Sequence, residues 1–231
     1  MLAVVAGSVL GTGQAGVGAF EPEAAAAVAR PWAHVELVVG VRHAVPIRRW
    51  PGAGRVLGWM PATSRYFHQP IAAWVLRRSG RFGRVPVPYT AHRRAGWIDL
   101  RGLALRRTRV RVEADLSRHV LVVRRRGVVV VRVRTATGAP SSPTPPGRYF
   151  VTDRTPFSLG GPYGSFAFGI SGIQTRLPAG WSGGDQLAIH GTNDPGSIGR
   201  SASAGCLRVS EWTLKRLKPL LRLGTPVVIR A

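Results

Sequence analysis

The stretch LAIHGTNDPGSIGRSASAGCLRVS, residues 187–210, holds the chain's single cysteine, Cys206, sixteen positions after His190. The run QLAIH is typical of a strand that ends at the histidine, and GCLRV of a strand that starts at the cysteine. The segment between them is polar, glycine-rich and long enough to fold back on itself. The stretch therefore predicts two strand ends lying side by side, a common position for catalytic groups.

Spacing alone leaves two interpretations of this pair open. A cysteine nucleophile reacts as the thiolate, and histidine is its usual base because it titrates near neutral pH. In contrast, a lone cysteine in a valine-rich chain is commonly a buried small hydrophobe. A histidine on an apolar strand is commonly a hydrogen-bonded residue of the core.

The composition predicts a mainly β protein. The 231 residues suit one large or two small domains, and 45% of them are hydrophobic, which is enough for a substantial core. The 29 glycines and 18 prolines indicate many turns. One cysteine can form neither an internal disulfide nor a cysteine-based zinc site by itself. The remaining histidines show no ligand spacing on a predicted helix, so we expect no metal and no cofactor.

The formal net charge is +23, and nearly all of the positive charge is arginine. This bias has two open explanations: a GC-rich genome, or a polyanionic partner such as nucleic acid, an anionic membrane surface or an anionic wall polymer. The sequence shows no helix-turn-helix or RNP-type pattern, and only 8% of its residues are aromatic. We therefore expect no nucleic-acid partner.

Composition divides the chain into three parts. Residues 1–31 begin with an apolar run of small residues and continue as a linker. This run lacks a basic start and is too short and glycine-rich for a membrane span, so we interpret it as the remnant of a signal or anchor. Residues 32–106 form a small β region and residues 108–231 a second one. In the second, RRG predicts a hairpin turn, and SEWTLKRLKPLL predicts a helix capped by Ser210.

The first β region resembles a bacterial SH3-like wall module. The resemblance rests on VPIRRWPGAGRVLGWMP, residues 45–61, as a strand, PG turn and strand, and on GWIDLRGL, residues 96–103, as the closing strand. A small β-barrel without a binding role is the alternative.

Residues 108–231 resemble the L,D-transpeptidase catalytic domain, the YkuD-like family. The family signature is His-Gly followed, after about fifteen residues, by Ser/Thr-x-Gly-Cys, an apolar residue and Arg or Asn. Three other segments match in order: residues 111–138 its opening strands, SSPTPPGRYFVTD its TP-x-G-x-F segment, and GGPYGSFAFGISG its Tyr-Gly segment. The resemblance implies a β-sandwich-type catalytic domain with a short helix towards its C-terminal end.

The resemblance also implies roles for individual residues. Cys206 matches the nucleophile and His190 the general acid and base. Gly205, Ser203 and Arg208 match the glycine, the Ser/Thr and the arginine of the signature. These residues would shape the loop and direct backbone amides at the oxyanion.

Further positions match the substrate groove, and one position departs from the family. Tyr163 and Gly164 match the Tyr-Gly segment, and Gly191 and Asn193 match the loop after the histidine. The family commonly has histidine where this chain has Ala204. If that histidine only supports the loop, activity survives its loss; if it binds substrate or orients the thiol, activity falls or specificity shifts.

The implied reaction is acyl transfer between stem peptides of peptidoglycan. A thioester formed from a tetrapeptide stem would pass to an amine of another stem and give a 3–3 cross-link. We expect a monomer that acts outside the cytoplasm, and anionic wall polymers are a second expected partner. The alternative is a catalytically silent, arginine-rich protein that binds the anionic cell wall.

Overall fold

The computed structural model describes residues 34–90 and 94–231. The predicted signal or anchor remnant, residues 1–31, lies outside the described residues. The mainly β prediction is confirmed, since strands dominate the described residues and a single α-helix is found among them. No helix in these two ranges combines the length and the apolar character that a membrane crossing requires.

The elements of the described ranges are, in chain order, β1 (Glu36–Gly40), β2 (Val45–Trp50), β3 (Ala53–Met60), β4 (Ala72–Val75), β5 (Arg77–Ser79), β6 (Phe82–Pro86), β7 (Ala95–Asp99), β8 (Ala104–Thr108), β9 (Val110–Asp115), β10 (Val120–Arg125), β11 (Val128–Arg134), β12 (Thr137–Gly138), β13 (Gly147–Phe150), β14 (Thr155–Pro156), β15 (Phe166–Ile173), β16 (Gln186–His190), β17 (Ser201–Ser203), β18 (Leu207–Arg208), α1 (Glu211–Leu217) and β19 (Pro226–Arg230). A 3-10 turn, Pro195–Ser197, lies between β16 and β17.

The first β region contains two sheets, ordered β4-β1-β8 and β3-β2-β7-β6-β5. Strands β2 and β3 pair as a hairpin around Pro51 and Gly52, and Gly52 has the positive φ of 71° that such a tight turn requires. The predicted strand, PG turn and strand are therefore confirmed. The assignment to an SH3-like module stays a prediction.

The second region contains a five-stranded sheet, β11-β10-β9-β19-β13. Its β10–β11 hairpin turns at Arg126 and Gly127, which have φ values of 55° and 83°. Two consecutive residues with positive φ match the right-handed twist of a hairpin. The RRG turn predicted from the sequence is therefore confirmed.

A four-stranded sheet, β14-β15-β16-β18, packs with this sheet around one hydrophobic core. Helix α1 closes the core by burying Leu214 and Leu217, which lie three positions apart on one helix face. The Ser210 side chain accepts a hydrogen bond from the Thr213 N–H at 3.1 Å, so the predicted N-cap is confirmed.

A second hydrophobic core fills the first β region. Phe150 of β13 is fully buried in it beside residues such as Ile47, although it lies in the second half of the chain. Residues Pro31–Ala231 group as one compact unit. The two regions therefore share part of their packing. Their division into separate domains, residues 32–106 and 108–231, stays a prediction.

We expect Phe150→Ala to lower the free energy of unfolding by about 3–5 kcal/mol, because it leaves a cavity in a core built by both regions. Urea unfolding followed by tryptophan fluorescence measures this loss. The control Val128→Ala removes a side chain that is 67% exposed and should change stability by less than about 0.5 kcal/mol. A loss below about 1 kcal/mol for Phe150→Ala would contradict shared packing.

Candidate active site

The parallel pairing of β16 with β18 brings the histidine and the cysteine together. In this register Ile189 lies opposite Leu207, and His190 lies opposite Arg208. Ile189 and Leu207 are buried in the core. Because side chains alternate along a strand, His190, Cys206 and Arg208 point to the other face of the sheet. The strand ends predicted from residues 187–210 therefore do lie side by side.

These three side chains line one cavity of about 440 Å³. The surrounding residues come from the loop before β15, from the connection between β15 and β16, from β16 itself, and from the end of β17 with the turn after it. They are Pro162, Tyr163, Gln174, Leu177, Gly180, Trp181, Ser182, Gly183, Gly184, Asp185, Gln186, Leu187, Ala188, Ser203 and Ala204. A single concave site thus contains a thiol, an imidazole and a guanidinium.

His190 is held by the chain immediately after it. Its Nδ1 lies 2.5 Å from the carbonyl oxygen of Gly191, and a carbonyl can only accept a hydrogen bond. Nδ1 therefore carries the proton in the neutral ring, and Nε2 carries the lone pair that a base needs. The Tyr163 ring contacts the imidazole edge-on, with 5.1 Å between ring centroids. Gly191 is thus the group that orients the histidine.

Burial keeps both candidate catalytic groups neutral at neutral pH. It lowers the pKa of His190 to about 4, with the nearby Arg208 charge acting in the same direction and the Gly191 hydrogen bond opposing it. Burial also raises the pKa of Cys206 to about 11, against the Ala188 backbone hydrogen bond and the Arg208 charge. Uncompensated burial disfavours the charged form of each group. At neutral pH the pair is therefore a thiol and an imidazole.

A tight turn precedes the cysteine. Gly205 has φ of 116°, which a residue with a side chain rarely adopts, and a Cβ there would meet the Gln174 amide. The Ser203 hydroxyl accepts from the Gly205 N–H at 3.1 Å and donates to the Cys206 carbonyl at 2.6 Å. The Gly205 amide is thus already occupied. Its contribution to an oxyanion site stays a prediction, as does that of its neighbours.

Thr144 links this turn to the proline-rich segment upstream. Its hydroxyl donates to the Gly205 carbonyl and accepts from the Gly138 N–H, both at 2.8 Å. The segment SSPTPPGRYFVTD therefore contacts the turn that precedes Cys206 through its threonine. The sequence matched this segment without assigning a role to Thr144.

The predicted groove residues and Ala204 lie in three different positions. Gly164 and Gly191 approach each other so closely that a Cβ on either would lie within 3 Å of the other's Cα. Tyr163 and Ala204 line the cavity itself. Asn193 is exposed and does not belong to the lining residues. Ala204 thus presents a methyl group to the cavity where the family commonly has an imidazole.

Glu211 is a site residue that the sequence analysis missed. From the first turn of α1, one carboxylate oxygen accepts from the Ser165 N–H at 2.9 Å and the other from the Ser165 hydroxyl at 2.5 Å. The carboxylate also lies against Gly164 and Gly191. It therefore supports the backbone that orients His190. The available sequence signal was an acidic residue directly after the Ser210 cap.

Across residues 34–90 and 94–231, no group of three or more His, Cys, Asp or Glu side chains has an arrangement suited to a metal ion. Arg208 has one acidic neighbour, Asp194, at 4.0 Å.

Comparison with known proteins gives a family match over the region of this site. The family model described as YkuD, L,D-transpeptidase catalytic domain, matches residues 109–229. A curated L,D-transpeptidase YkuD of Bacillus licheniformis is 29% identical over 119 residues, which are 52% of this chain and 64% of that protein. The Bacillus subtilis protein of the same name is 31% identical over 94 residues, 41% of this chain and 49% of that protein. The chain thus spans less than two thirds of each relative.

Solved structures give a weaker likeness. An L,D-transpeptidase from Mycobacterium tuberculosis H37Rv has a TM-score of 0.46 at 19% identity and covers 72% of this chain and 75% of its own. An L,D-transpeptidase from Mycobacterium smegmatis has a TM-score of 0.42 at 18% identity and covers 65% of this chain and 90% of its own.

We expect the reactivity of Cys206 to rise about tenfold per pH unit from pH 7 to pH 10, because its pKa is raised to about 11. The alkylation rate with iodoacetamide, followed by intact mass, measures this directly because the chain has one cysteine. Arg208→Gln removes a charge that lowers this pKa and should slow alkylation roughly two- to fivefold at each pH. The exposed Arg200→Gln is the control. A plateau below pH 9 would show instead that a thiolate forms in the empty site.

Proposed function

The chain belongs to the YkuD family of L,D-transpeptidase catalytic domains, and from this premise we propose that it is a cysteine-dependent peptidoglycan L,D-transpeptidase. The observation that carries the proposal is the shared cavity, in which Cys206 and Arg208 face His190 across a parallel strand pair. A thiol, an oriented imidazole base and a fixed cation are the groups that acyl transfer through a thioester uses.

In the first step, Cys206 attacks the carbonyl that precedes the terminal D-residue of a tetrapeptide stem. Nε2 of His190 takes the thiol proton as the S–C bond forms. The same nitrogen then gives that proton to the departing amine as the C–N bond breaks. The products are a thioester on Cys206 and a free D-amino acid. The hydrogen bond from Nδ1 to Gly191 keeps Nε2 available for both transfers.

In the second step, an amine of another stem attacks the thioester. His190 takes a proton from this amine, and the thiol leaves as the new amide bond forms. The product is a 3–3 cross-link, and the enzyme returns to its starting state. Water in place of the amine gives hydrolysis by the same route.

The neutral resting state fits a base that acts during attack. The Cys206 thiol donates a hydrogen bond to the Gln186 carbonyl at 3.9 Å. A rotation about the Cys206 side chain towards Nε2 accompanies substrate binding, since catalytic hydrogen bonds often tighten only in the complex. Arg208 then favours the developing thiolate, because its charge already lowers the pKa of Cys206.

Ala204 is compatible with this mechanism. The base, the nucleophile and the cation are all present without a histidine at position 204. The hydrogen bonds that hold the turn come from Ser203, Thr144 and the backbone. The space beside Ala204 affects substrate fit more than the chemistry of the thiol.

The family match supports a proposal about substrate and location. We propose that the protein acts on peptidoglycan stem peptides outside the cytoplasm, as a monomer, with anionic wall polymers as a further partner. A silent wall-binding protein is the alternative that the experiment below separates from an enzyme.

We expect Cys206→Ala to abolish the formation of 3–3 dimers from purified disaccharide-tetrapeptides, measured by mass spectrometry of the muropeptides. His190→Gln should lower the rate about 10²–10⁴-fold, because proton transfer is lost. The control His119→Gln changes a half-buried histidine that contacts Ser201 and does not line the active-site cavity, and it should retain activity. Incubation with a carbapenem should add the mass of one whole carbapenem molecule to the wild type, because the β-lactam ring opens on Cys206, and should leave the mass of Cys206→Ala unchanged. A wild-type protein that binds the cell wall but forms neither 3–3 dimers nor a carbapenem adduct would contradict the proposal that it is an enzyme.

We expect Glu211→Gln to lower kcat/KM about tenfold, because it weakens the charge-assisted hydrogen bonds that support the His190 loop. The acidic limb of the kcat/KM profile should also move upward from near pH 4, since a less firmly buried imidazole has a pKa closer to 6.5. The control Glu113→Gln changes a carboxylate that pairs with Arg111 and Arg124. An unchanged acidic limb would contradict the positioning role.

A further inference from the structure

A second cavity of about 460 Å³ lies next to the active-site cavity and shares one of its walls. The residues common to both cavities are Tyr163, Ser182, Gly183, Gly184, Gln186 and Ala188. The opposite wall comes from the first β region, which supplies Tyr66 and Phe67. We call this second cavity the aromatic groove.

A chain of contacting aromatic rings runs from the aromatic groove to His190, the proposed general base. Phe67 meets Phe157 edge-on with 6.1 Å between ring centroids, and Phe157 lies 5.1 Å from Tyr163. Tyr163 in turn contacts His190. Tyr66 and Phe67 are each 42% exposed, although large aromatic side chains are usually covered. Exposed rings that converge on a concave surface beside an active site indicate a ligand surface.

Tyr66, which lines the aromatic groove, is hydrogen-bonded to Asp185, which lines the active-site cavity. The Tyr66 hydroxyl donates to the Asp185 carboxylate at 2.7 Å, and the Arg65 guanidinium forms an ion pair with it at 3.1 Å. Asp185 follows Gly183 and Gly184, which both cavities share. The first β region is therefore tied to one side of the aromatic groove through the Asp185 carboxylate, and Gln69 ties it to the groove-lining Thr155 as well.

The lining of the aromatic groove is uncharged. Besides the four rings and the shared residues, it consists of Thr155, Ala167 and Gly169. Stem peptides carry carboxylates and amines, and burying such charges without a partner is unfavourable. The sugars that bear the stems are neutral rings whose C–H faces carry slight positive charge, which matches the negative faces of aromatic rings. The chemistry of the aromatic groove therefore fits the glycan part of the substrate better than a second peptide.

We propose that the aromatic groove binds a neutral amino-sugar ring of the peptidoglycan substrate while the stem peptide occupies the active-site cavity. This inference rests on the proposed function. It gives the first β region a place in substrate recognition: Tyr66 and Phe67 bind the sugar, and Arg65 positions the wall through Asp185.

The test compares two donor substrates, a disaccharide-tetrapeptide and the same tetrapeptide without sugar. We expect the wild type to have the higher kcat/KM for the sugar-bearing donor. The quantity compared is the ratio of kcat/KM for the sugar-bearing donor to kcat/KM for the sugar-free donor. Phe67→Ala should lower this ratio about three- to tenfold, because it removes an aromatic contact that only the sugar-bearing donor makes. Tyr66→Ala should act in the same direction.

The matched control is Trp59→Ala. Trp59 is an aromatic residue of the same β region that is 58% exposed and does not line the aromatic groove. It should leave the ratio unchanged. The Cys206 alkylation rate verifies that each variant retains a folded site.

A second measurement does not depend on turnover. Titration of the Cys206→Ala protein with N,N′-diacetylchitobiose, a neutral amino-sugar disaccharide, should perturb the NMR signals of Tyr66, Phe67 and Phe157. Three results would each overturn the proposal. The first is a wild-type kcat/KM that is the same for both donors, and the second is an equal loss of kcat/KM for both donors in Phe67→Ala. The third is that the sugar leaves these NMR signals unperturbed. Absence of acyl transfer with both donors would overturn the proposed function instead, and sugar binding by the Cys206→Ala protein would still stand.

Discussion

The parallel pairing of β16 with β18 is the constraint on which the candidate site depends. Two short strands joined through a loop lie in register, so that His190 faces Arg208. The core fixes this register, because a slip by one residue would expose Ile189 or Leu207 and bury the polar neighbours. Hydrophobic burial on one face of the sheet therefore determines the catalytic geometry on the other.

The same arrangement explains why the site is neutral at rest. Residues close enough to the core to be held rigidly are also removed from water, and burial moves the pKa of His190 down and that of Cys206 up. The hydrogen bond from His190 Nδ1 to Gly191 leaves Nε2 free to accept a proton. The charge of Arg208 favours the thiolate of Cys206. A few polar groups therefore hold the two residues and set their protonation states. Glu211 and Thr144 support the backbone next to them through hydrogen bonds to Ser165 and Gly205.

The two β regions depend on each other around this site. Phe150 of the second region completes the core of the first, while Arg65 and Tyr66 of the first hold Asp185 beside the active-site cavity. A catalytic region alone would lack the outer wall of the aromatic groove. In the chain, Arg109 alone separates β8 of the first region from β9 of the second.

The sequence by itself determined the β class, the β10–β11 turn, helix α1 with its Ser210 cap, and the position of His190 and Cys206 on neighbouring strand ends. These features follow from local rules, such as residue alternation, positive-φ turns and capping, or from a long motif. The sequence left Glu211, Thr144, Gln174 and the Tyr66–Asp185 contact without a role, because each joins segments that are distant in the chain. Only the tertiary structure decided that Gly191 orients the base and that the first β region borders the active site. Contacts of this kind depend on how sheets pack, and packing is set by the whole core and not by any single stretch.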